Sequence, residues 1–179
     1  LGRCLADGLT QAGVLPVMKH LPGHGRARVD SHELLPVVSA SRRELAALDF
    51  VPFRRNADLP LAMTAHVVFE AIDPGIPATH SAKVIGEAIR GEIGFGGILL
   101  SDDLGMKALG GSFGERAERA LAAGCDIALH CSGDAAETLA VLEAVGELPA
   151  ATQERLDSLL QQTASCRPAG SMPARWATI

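Results

Sequence analysis

The chain has 179 residues, a net charge of −5 and a pI near 5.6, and 47% of its residues are hydrophobic. This length allows one domain with a sizeable core, and the acidic balance argues against a nucleic-acid-binding surface or a basic membrane-binding patch. No apolar run approaches the ~20 residues that a membrane-spanning helix needs, so no membrane partner is expected.

The first element is a helical pattern that begins directly at Leu1 and leads into a strand-like segment. No methionine precedes this pattern. We therefore expect the chain to be a fragment of a longer protein that lacks its front.

Four short apolar segments follow in chain order, and each has the continuous hydrophobicity and the length of a buried parallel strand. They lie at residues 14–20, 59–69, 95–104 and 124–133. Helical patterns separate and follow them, at residues 41–55, 81–93, 113–123, 134–145 and 151–162. Ser41 with Glu44 has the signature of a capping box, and Asp134 is placed to cap the fourth of these helices. Residues 166–179 contain proline and glycine and are predicted to form a loose tail.

The alternation of strands and helices predicts an α/β fold with a parallel sheet. Both an open doubly wound sheet and a (β/α)₈ TIM-type barrel fit this order. The barrel is favoured because every predicted strand ends in polar residues, and barrel active sites are built at the carboxyl ends of several strands. These ends carry Lys19–His20, Thr64–His66, Ser101–Asp103 and His130–Ser132. A full barrel takes about 250 residues and eight strands, so about four βα units over residues 1–165 predict half a barrel.

The four cysteines lie at positions 4, 125, 131 and 166 and form no CxxC motif. Their spacing fits no zinc ribbon, so we expect four free thiols in a reducing compartment. Cys125 and Cys131 lie at opposite ends of one predicted strand and should not bond to each other.

The segment KHLPGHGRARVDSH, Lys19 to His32, carries three histidines in fourteen residues. One hypothesis is metal ligation, although the histidines lack the helical spacing of a zinc motif. A second is that hydrogen bonds between histidine and the backbone structure the loop, above all for His24 between two glycines. The third is acid–base catalysis by Asp30 and His32. In an extended loop their side chains share a face, and a carboxylate beside an imidazole fixes the tautomer and stabilises the imidazolium.

The segment SDDLGM places Asp102 where a buried strand opens into solvent. This position suits a carboxylate nucleophile, and the alternative is a cap for the following helix. Asp103, which faces the opposite way, is the better candidate for a cap or a structural partner. A nucleophile at Asp102 and a separate acid/base at His32 divide the work as in a retaining glycosidase, which normally uses two carboxyl groups.

The motifs KHLPGHG, DSH, AMTAHVVF and GGILLSDDLGMKAL together resemble the family-3 glycoside hydrolases, in particular the bacterial β-N-acetylglucosaminidases of the NagZ type. The resemblance runs from Leu1 to about Ser132. It implies that Asp102 is the nucleophile, that His32 is the general acid/base with Asp30 as its partner, and that Lys19 and His20 bind sugar hydroxyls. It implies no metal and no cofactor.

The same resemblance implies a cytoplasmic, retaining β-N-acetylhexosaminidase that removes β-linked N-acetylglucosamine from muropeptides during cell-wall recycling. It also identifies the chain as the C-terminal half of the barrel, because family barrels carry four strands before the Lys-His strand. Those strands supply an aspartate and arginines that bind the N-acetyl sugar, and they are not in this sequence. Half a barrel has unpaired edges, so we expect instability or self-association.

Three alternatives remain open at this point. The chain could be a fragment that keeps the motifs but catalyses nothing. It could be a phosphorylase, because a histidine acid/base does not repel phosphate as a carboxylate would. It could also be a metal-dependent barrel hydrolase that uses His20, His24, His32 and Asp102.

Overall fold

A computed structural model of the protein describes the backbone of residues 1–166 and the side chains of residues 1–163. Apart from Cys166, which ends the last helix, the predicted tail 166–179 lies outside the described residues. The fold is α/β, with parallel sheets as predicted.

The five strands are β1 (Val17–Leu21), β2 (Val37–Val38), β3 (Leu61–Thr64), β4 (Val68–Phe69) and β5 (Ile98–Leu100). The main sheet is parallel and has the order β1-β3-β5, which confirms three of the predicted strands. The central strand β3 is buried at all four positions because both of its faces are covered, which explains its continuous hydrophobicity. The second parallel sheet, β2 with β4, was not predicted.

The prediction of a fourth strand at residues 124–133 is wrong. This segment runs beside β5 and makes a single parallel bridge, between Leu100 and Ile127. No continuous strand pairing forms because backbone amides of this segment donate to side chains instead. The Leu129 amide donates to the Ser101 hydroxyl, and the Cys131 amide donates to Asp103.

Six α-helices occur within residues 1–166: α1 (Gly2–Gln11), α2 (Arg42–Glu44), α3 (Val51–Arg54), α4 (Phe113–Ala123), α5 (Ala135–Val145) and α6 (Ala150–Cys166). All the predicted helical regions are helical. The region 41–55 begins at the predicted Ser41 capping box and is interrupted by a π-helical segment, Leu45–Asp49. A 3₁₀ turn, Ala78–His80, precedes the helix predicted at 81–93, which is a π-helix over Val84–Glu92. Asp134 caps α5 as predicted.

The core lies between the main sheet, the helical regions before and after β3, and the helix α4 that follows β5. Its largest fully buried side chains are aromatic and aliphatic, with one histidine: Phe50, Phe69, Phe95, Leu21, Leu45, Ile89, Ile93, Ile98, Leu99, Leu104 and His66. In the described chain β1 has no strand on its outer side, and an apolar cavity of about 310 Å³ lies between β1, α1 and α3. This is the least covered part of the sheet.

Two further expectations concern the thiols and the membrane. Cys4, Cys125 and Cys131 are free, as predicted, and the side chain of Cys166 lies outside the described residues. None of the helices within residues 1–166 combines the length and the apolarity needed to cross a bilayer.

Candidate active site

The carboxyl ends of the three main-sheet strands meet at one edge of the sheet, and the predicted site residues lie there. β1 contributes Lys19 and His20, and Asp102 follows β5 by two residues. A cavity of about 360 Å³ is lined by all five predicted residues together with two others: Lys19, His20, His24, Asp30, Ser31, His32 and Asp102. The structure therefore brings the whole predicted set together.

Asp102 is nearly buried, with 8% of the residue exposed. Its Oδ1 accepts a hydrogen bond from the Asp103 amide at 3.0 Å, and its Oδ2 lies 3.6 Å from His20 Nε2. One carboxylate oxygen is thus held by the backbone while the other faces the cavity. The alternative role as a helix cap is excluded, since the next helix, α4, is capped by Ser112.

Asp103 is the structural partner that the sequence predicted. Its Oδ1 accepts from the amides of Gly105 at 2.9 Å and Cys131 at 3.0 Å. These bonds join the segment after β5 to the segment 124–133, and they hold the turn that follows Asp102.

Asp30 and His32 form the predicted pair. The ring Nδ1–H and the backbone amide of His32 both donate to Asp30 Oδ1, at 2.8 and 2.9 Å. The chain here is a turn rather than the extended loop we expected, because the Asp30 carbonyl also accepts from the amides of Glu33 and Leu34. The turn brings the two side chains together and leaves Nε2 of the imidazole free.

The hydrogen bond and the charge of Asp30 raise the pKa of His32 above its ordinary value. In return, the bonds from the His32 amide and ring lower the pKa of Asp30. The two side chains are 73% and 67% exposed, so water screens this pair. The arrangement suits a group that exchanges protons with a ligand.

His20 and His24 lie on the other side of the cavity, with their ring centroids 5.7 Å apart. Burial lowers the pKa of His20, although the Asp102 charge opposes this effect, so the ring can act as a neutral hydrogen-bonding group. His24 Nε2 lies 3.1 Å from Ser31 Oγ, which ties the two ends of the loop together. The loop-structuring hypothesis for His24 therefore fits, with a side chain in place of the expected backbone partner.

Two contacts hold the turn of the Asp30–His32 pair against the segment that follows Asp102. The Lys107 amide donates to the His32 carbonyl at 3.3 Å, and Lys107 Nζ pairs with Glu33 Oε2 at 2.7 Å. The loop before the turn is anchored by Arg26, whose guanidinium donates to both carboxylate oxygens of Asp49. These contacts set the position of His32 relative to Asp102.

The profile of the glycosyl hydrolase family 3 N terminal domain matches residues 1–165. The chain belongs to this family. A beta-hexosaminidase of Alkalilimnicola ehrlichii is 48% identical over 136 residues, which are 74% of this chain and 39% of the relative. A beta-hexosaminidase of Tolumonas auensis is 41% identical over 161 residues, which are 87% of this chain and 48% of the relative.

Solved structures show the same family-3 fold. The β-N-acetylglucosaminidase of Paenibacillus sp. str. FPU-7 has a TM-score of 0.77 and 33% identity, over 94% of this chain and 35% of that one. NagZ of Neisseria gonorrhoeae, in complex with N-trifluoroacetyl-D-glucosamine, has a TM-score of 0.72 and 35% identity, over 90% and 46% of the two chains. The chain therefore spans less than half the length of each of these four relatives.

The metal-ligation alternative finds no support in the geometry. Within the described residues, no group of three or more His, Cys, Asp or Glu side chains is arranged to hold a metal ion.

The sequence did not identify every polar residue of this family-3 site. His66, at the end of a predicted strand, is fully buried, and the sequence predicts no role for it. Thr79, which is fully buried beside His66 and Thr64, was not singled out. The available signal was a threonine and a histidine inside the otherwise apolar run AMTAHVVF, because buried polar side chains need partners.

Proposed function

We propose that this family-3 chain carries the nucleophile and the acid/base of a retaining β-N-acetylhexosaminidase that hydrolyses terminal β-linked N-acetylglucosamine. The observation that carries the proposal is the shared cavity, in which the buried Asp102 faces the exposed Asp30–His32 pair. The similarity to proteins named beta-hexosaminidase and to β-N-acetylglucosaminidase structures supports the choice of sugar.

In the first step the imidazolium of His32 gives the proton on Nε2 to the glycosidic oxygen. Asp102 Oδ2 attacks the anomeric carbon at the same time, so the carbon–oxygen bond breaks and a glycosyl ester of Asp102 forms. Asp30 stabilises the imidazolium and keeps the other ring nitrogen protonated.

In the second step the neutral Nε2 of His32 takes a proton from water, and the oxygen of that water attacks the anomeric carbon. The ester bond to Asp102 breaks, which restores the carboxylate and the imidazolium and releases the sugar. Two inversions give net retention of configuration. Lys19 and His20, which line the same cavity, would bind the sugar hydroxyls.

The finer proposals rest on the same resemblance. Residues 1–165 would form the C-terminal half of a (β/α)₈ barrel, which fits the unpaired outer side of β1 and the apolar cavity against it. The substrate would be N-acetylglucosamine linked to muropeptides, and the site of action would be the cytoplasm.

A second candidate is that residues 1–179 alone catalyse nothing. The observations that favour it are the uncovered edge at β1 and the exposure of the Asp30–His32 pair, since a catalytic site normally excludes water.

Hydrolysis of a chromogenic β-N-acetylglucosaminide tests the proposal, with residues 1–179 and the full gene product containing them assayed side by side. The proposal predicts turnover by the full gene product and β-N-acetylglucosamine as the first product seen by NMR. Loss of turnover in Asp102→Asn, with the fold intact, is expected. An α-configured first product would contradict the retaining mechanism, and a rate that requires phosphate would indicate the phosphorylase alternative.

A further inference from the structure

Three fully buried polar side chains connect Asp102 and Asp103, the second and third residues after β5. The Asp102 amide lies 3.3 Å from Thr64 Oγ1, and Thr64 Oγ1 lies 2.9 Å from Thr79 Oγ1. Thr79 Oγ1 lies 2.7 Å from His66 Nδ1, and His66 Nε2 lies 2.9 Å from the Asp103 carbonyl oxygen. The chain of hydrogen bonds therefore leaves the backbone at Asp102 and returns to it at Asp103.

The direction of each hydrogen bond follows from the two ends. The Asp102 amide can only donate and the Asp103 carbonyl can only accept. Nε2 of His66 must therefore carry a proton, and Nδ1 of the neutral ring accepts from the Thr79 hydroxyl. Thr79 in turn accepts from Thr64, whose oxygen accepts from the Asp102 amide.

The environment of His66 agrees with a neutral ring. Thr64, His66 and Thr79 each have no exposed surface, and this burial lowers the pKa of His66 below its ordinary value. Water cannot replace a missing partner at such depth, so each broken bond leaves a buried polar group unsatisfied. The Thr79 hydroxyl has an alternative acceptor, the Ala65 carbonyl at 3.2 Å, but His66 Nδ1 is closer.

We propose that Thr64, Thr79 and His66 are positioning residues that clamp the Asp102–Asp103 backbone and so fix the direction of the Asp102 carboxylate. None of the three lines the cavity that holds Asp102. They act through the backbone: with the amide of Asp103 also holding Asp102 Oδ1, the carboxylate cannot rotate freely, and Oδ2 stays on the cavity side. This role rests on the proposed function of Asp102 as nucleophile.

Thr79→Val tests the clamp, because it keeps the shape of the side chain and removes the hydroxyl. In the full gene product we expect kcat to fall by about 10-fold to 100-fold, as for a small misplacement of a reacting group, while KM stays within about twofold. Thr79→Ser restores the hydroxyl and should regain most of the lost kcat. Thr163→Val removes a buried threonine hydroxyl that, among the described residues, donates within α6 to the carbonyls of Leu159 and Leu160, and it should leave kcat unchanged.

A second readout needs no activity. Nitrogen NMR of the wild-type His66 ring should show a slowly exchanging proton on Nε2 and no proton on Nδ1 down to mildly acidic pH. Thr79→Val should speed exchange of that Nε2 proton, because the ring loses its second anchor. A wild-type proton on Nδ1 instead would overturn the clamp, even if the valine variant does not fold.

The outcomes separate the two proposals. If the wild type is active and Thr79→Val has the same kcat as Thr163→Val, the clamp is overturned and the proposed function stands. A kcat loss that Thr79→Ser does not recover also overturns the clamp. A full gene product without hexosaminidase activity overturns the proposed function, and with it the role of the clamp.

Discussion

The Asp30→Asn substitution removes one charge from the Asp30–His32 pair and keeps its geometry. The amide oxygen of asparagine can still accept both bonds that Asp30 Oδ1 accepts, at 2.8 and 2.9 Å from His32. The charge and the charge-assisted bond are what raise the pKa of His32, so its pKa should fall in the variant.

The sign of the pH effect follows from the first step. His32 must be protonated to give its proton to the leaving group, so kcat/KM declines as pH rises through the pKa of His32. The raised pKa in the wild type keeps this acid available to a higher pH. In Asp30→Asn the alkaline limb of kcat/KM should move to lower pH.

The magnitude depends on how much the step needs an acid. General acid–base catalysis contributes a rate enhancement of about 10²-fold to 10⁴-fold. Because the pair is exposed, Asp30→Asn should lose only part of this enhancement, about 10-fold to 100-fold in kcat/KM for a substrate with a poor leaving group. An activated aryl leaving group needs little protonation and should lose much less. The two losses in kcat/KM are measured from initial rates as a function of pH, with two aryl N-acetylglucosaminides that differ in the acidity of the leaving group.

Two results would refute this reasoning. One is an alkaline limb at the same pH in the wild type and in Asp30→Asn. The other is an equal loss for both leaving groups, which would mean that the variant disturbs the site rather than the acid.

Three further predictions concern stability. A methyl group at Gly97 would lie 2.5 Å from the Pro60 carbonyl oxygen, whereas a methyl group at Gly96 would meet open space. Gly97→Ala should therefore lower the free energy of unfolding in urea by about 3 kcal/mol, and Gly96→Ala should lower it far less. Ser112→Ala should cost about 1 kcal/mol in the same assay, because it removes the cap of α4; an unchanged midpoint would contradict this. Burial lowers the pKa of His80 to about 4, so Tm should fall as pH drops from 6.5 towards 4, and less steeply in His80→Asn; parallel profiles would refute it.

The central strand β3 was predicted from its hydrophobicity because both of its faces are buried. β3 reads as an unbroken apolar run because no position faces water. The segment 124–133 is also apolar, but Ser101 and Asp103 bind its amides in place of a neighbouring strand. Such competition depends on residues more than twenty positions away, so hydrophobicity alone could not reveal it.

The candidate site divides in a similar way. Asp30 and His32 are two positions apart, so their pairing is a local property that the sequence carries, and only the turn between them was missed. Thr79 lies in the short 3₁₀ segment Ala78–His80 and meets Thr64 and His66 only through the fold. A contact of this kind has no spacing by which it could be recognised in advance.

The central claim is that Asp102 forms a covalent bond to the sugar. The most direct test is to incubate the full gene product with 5-fluoro-N-acetylglucosaminyl fluoride, digest it and map the labelled peptide by mass spectrometry, with Asp102→Asn as the control. The mechanism predicts one added 5-fluoro-N-acetylglucosaminyl group on Asp102, and none in the control. An adduct on another carboxylate, or an active protein that is never labelled, would contradict it.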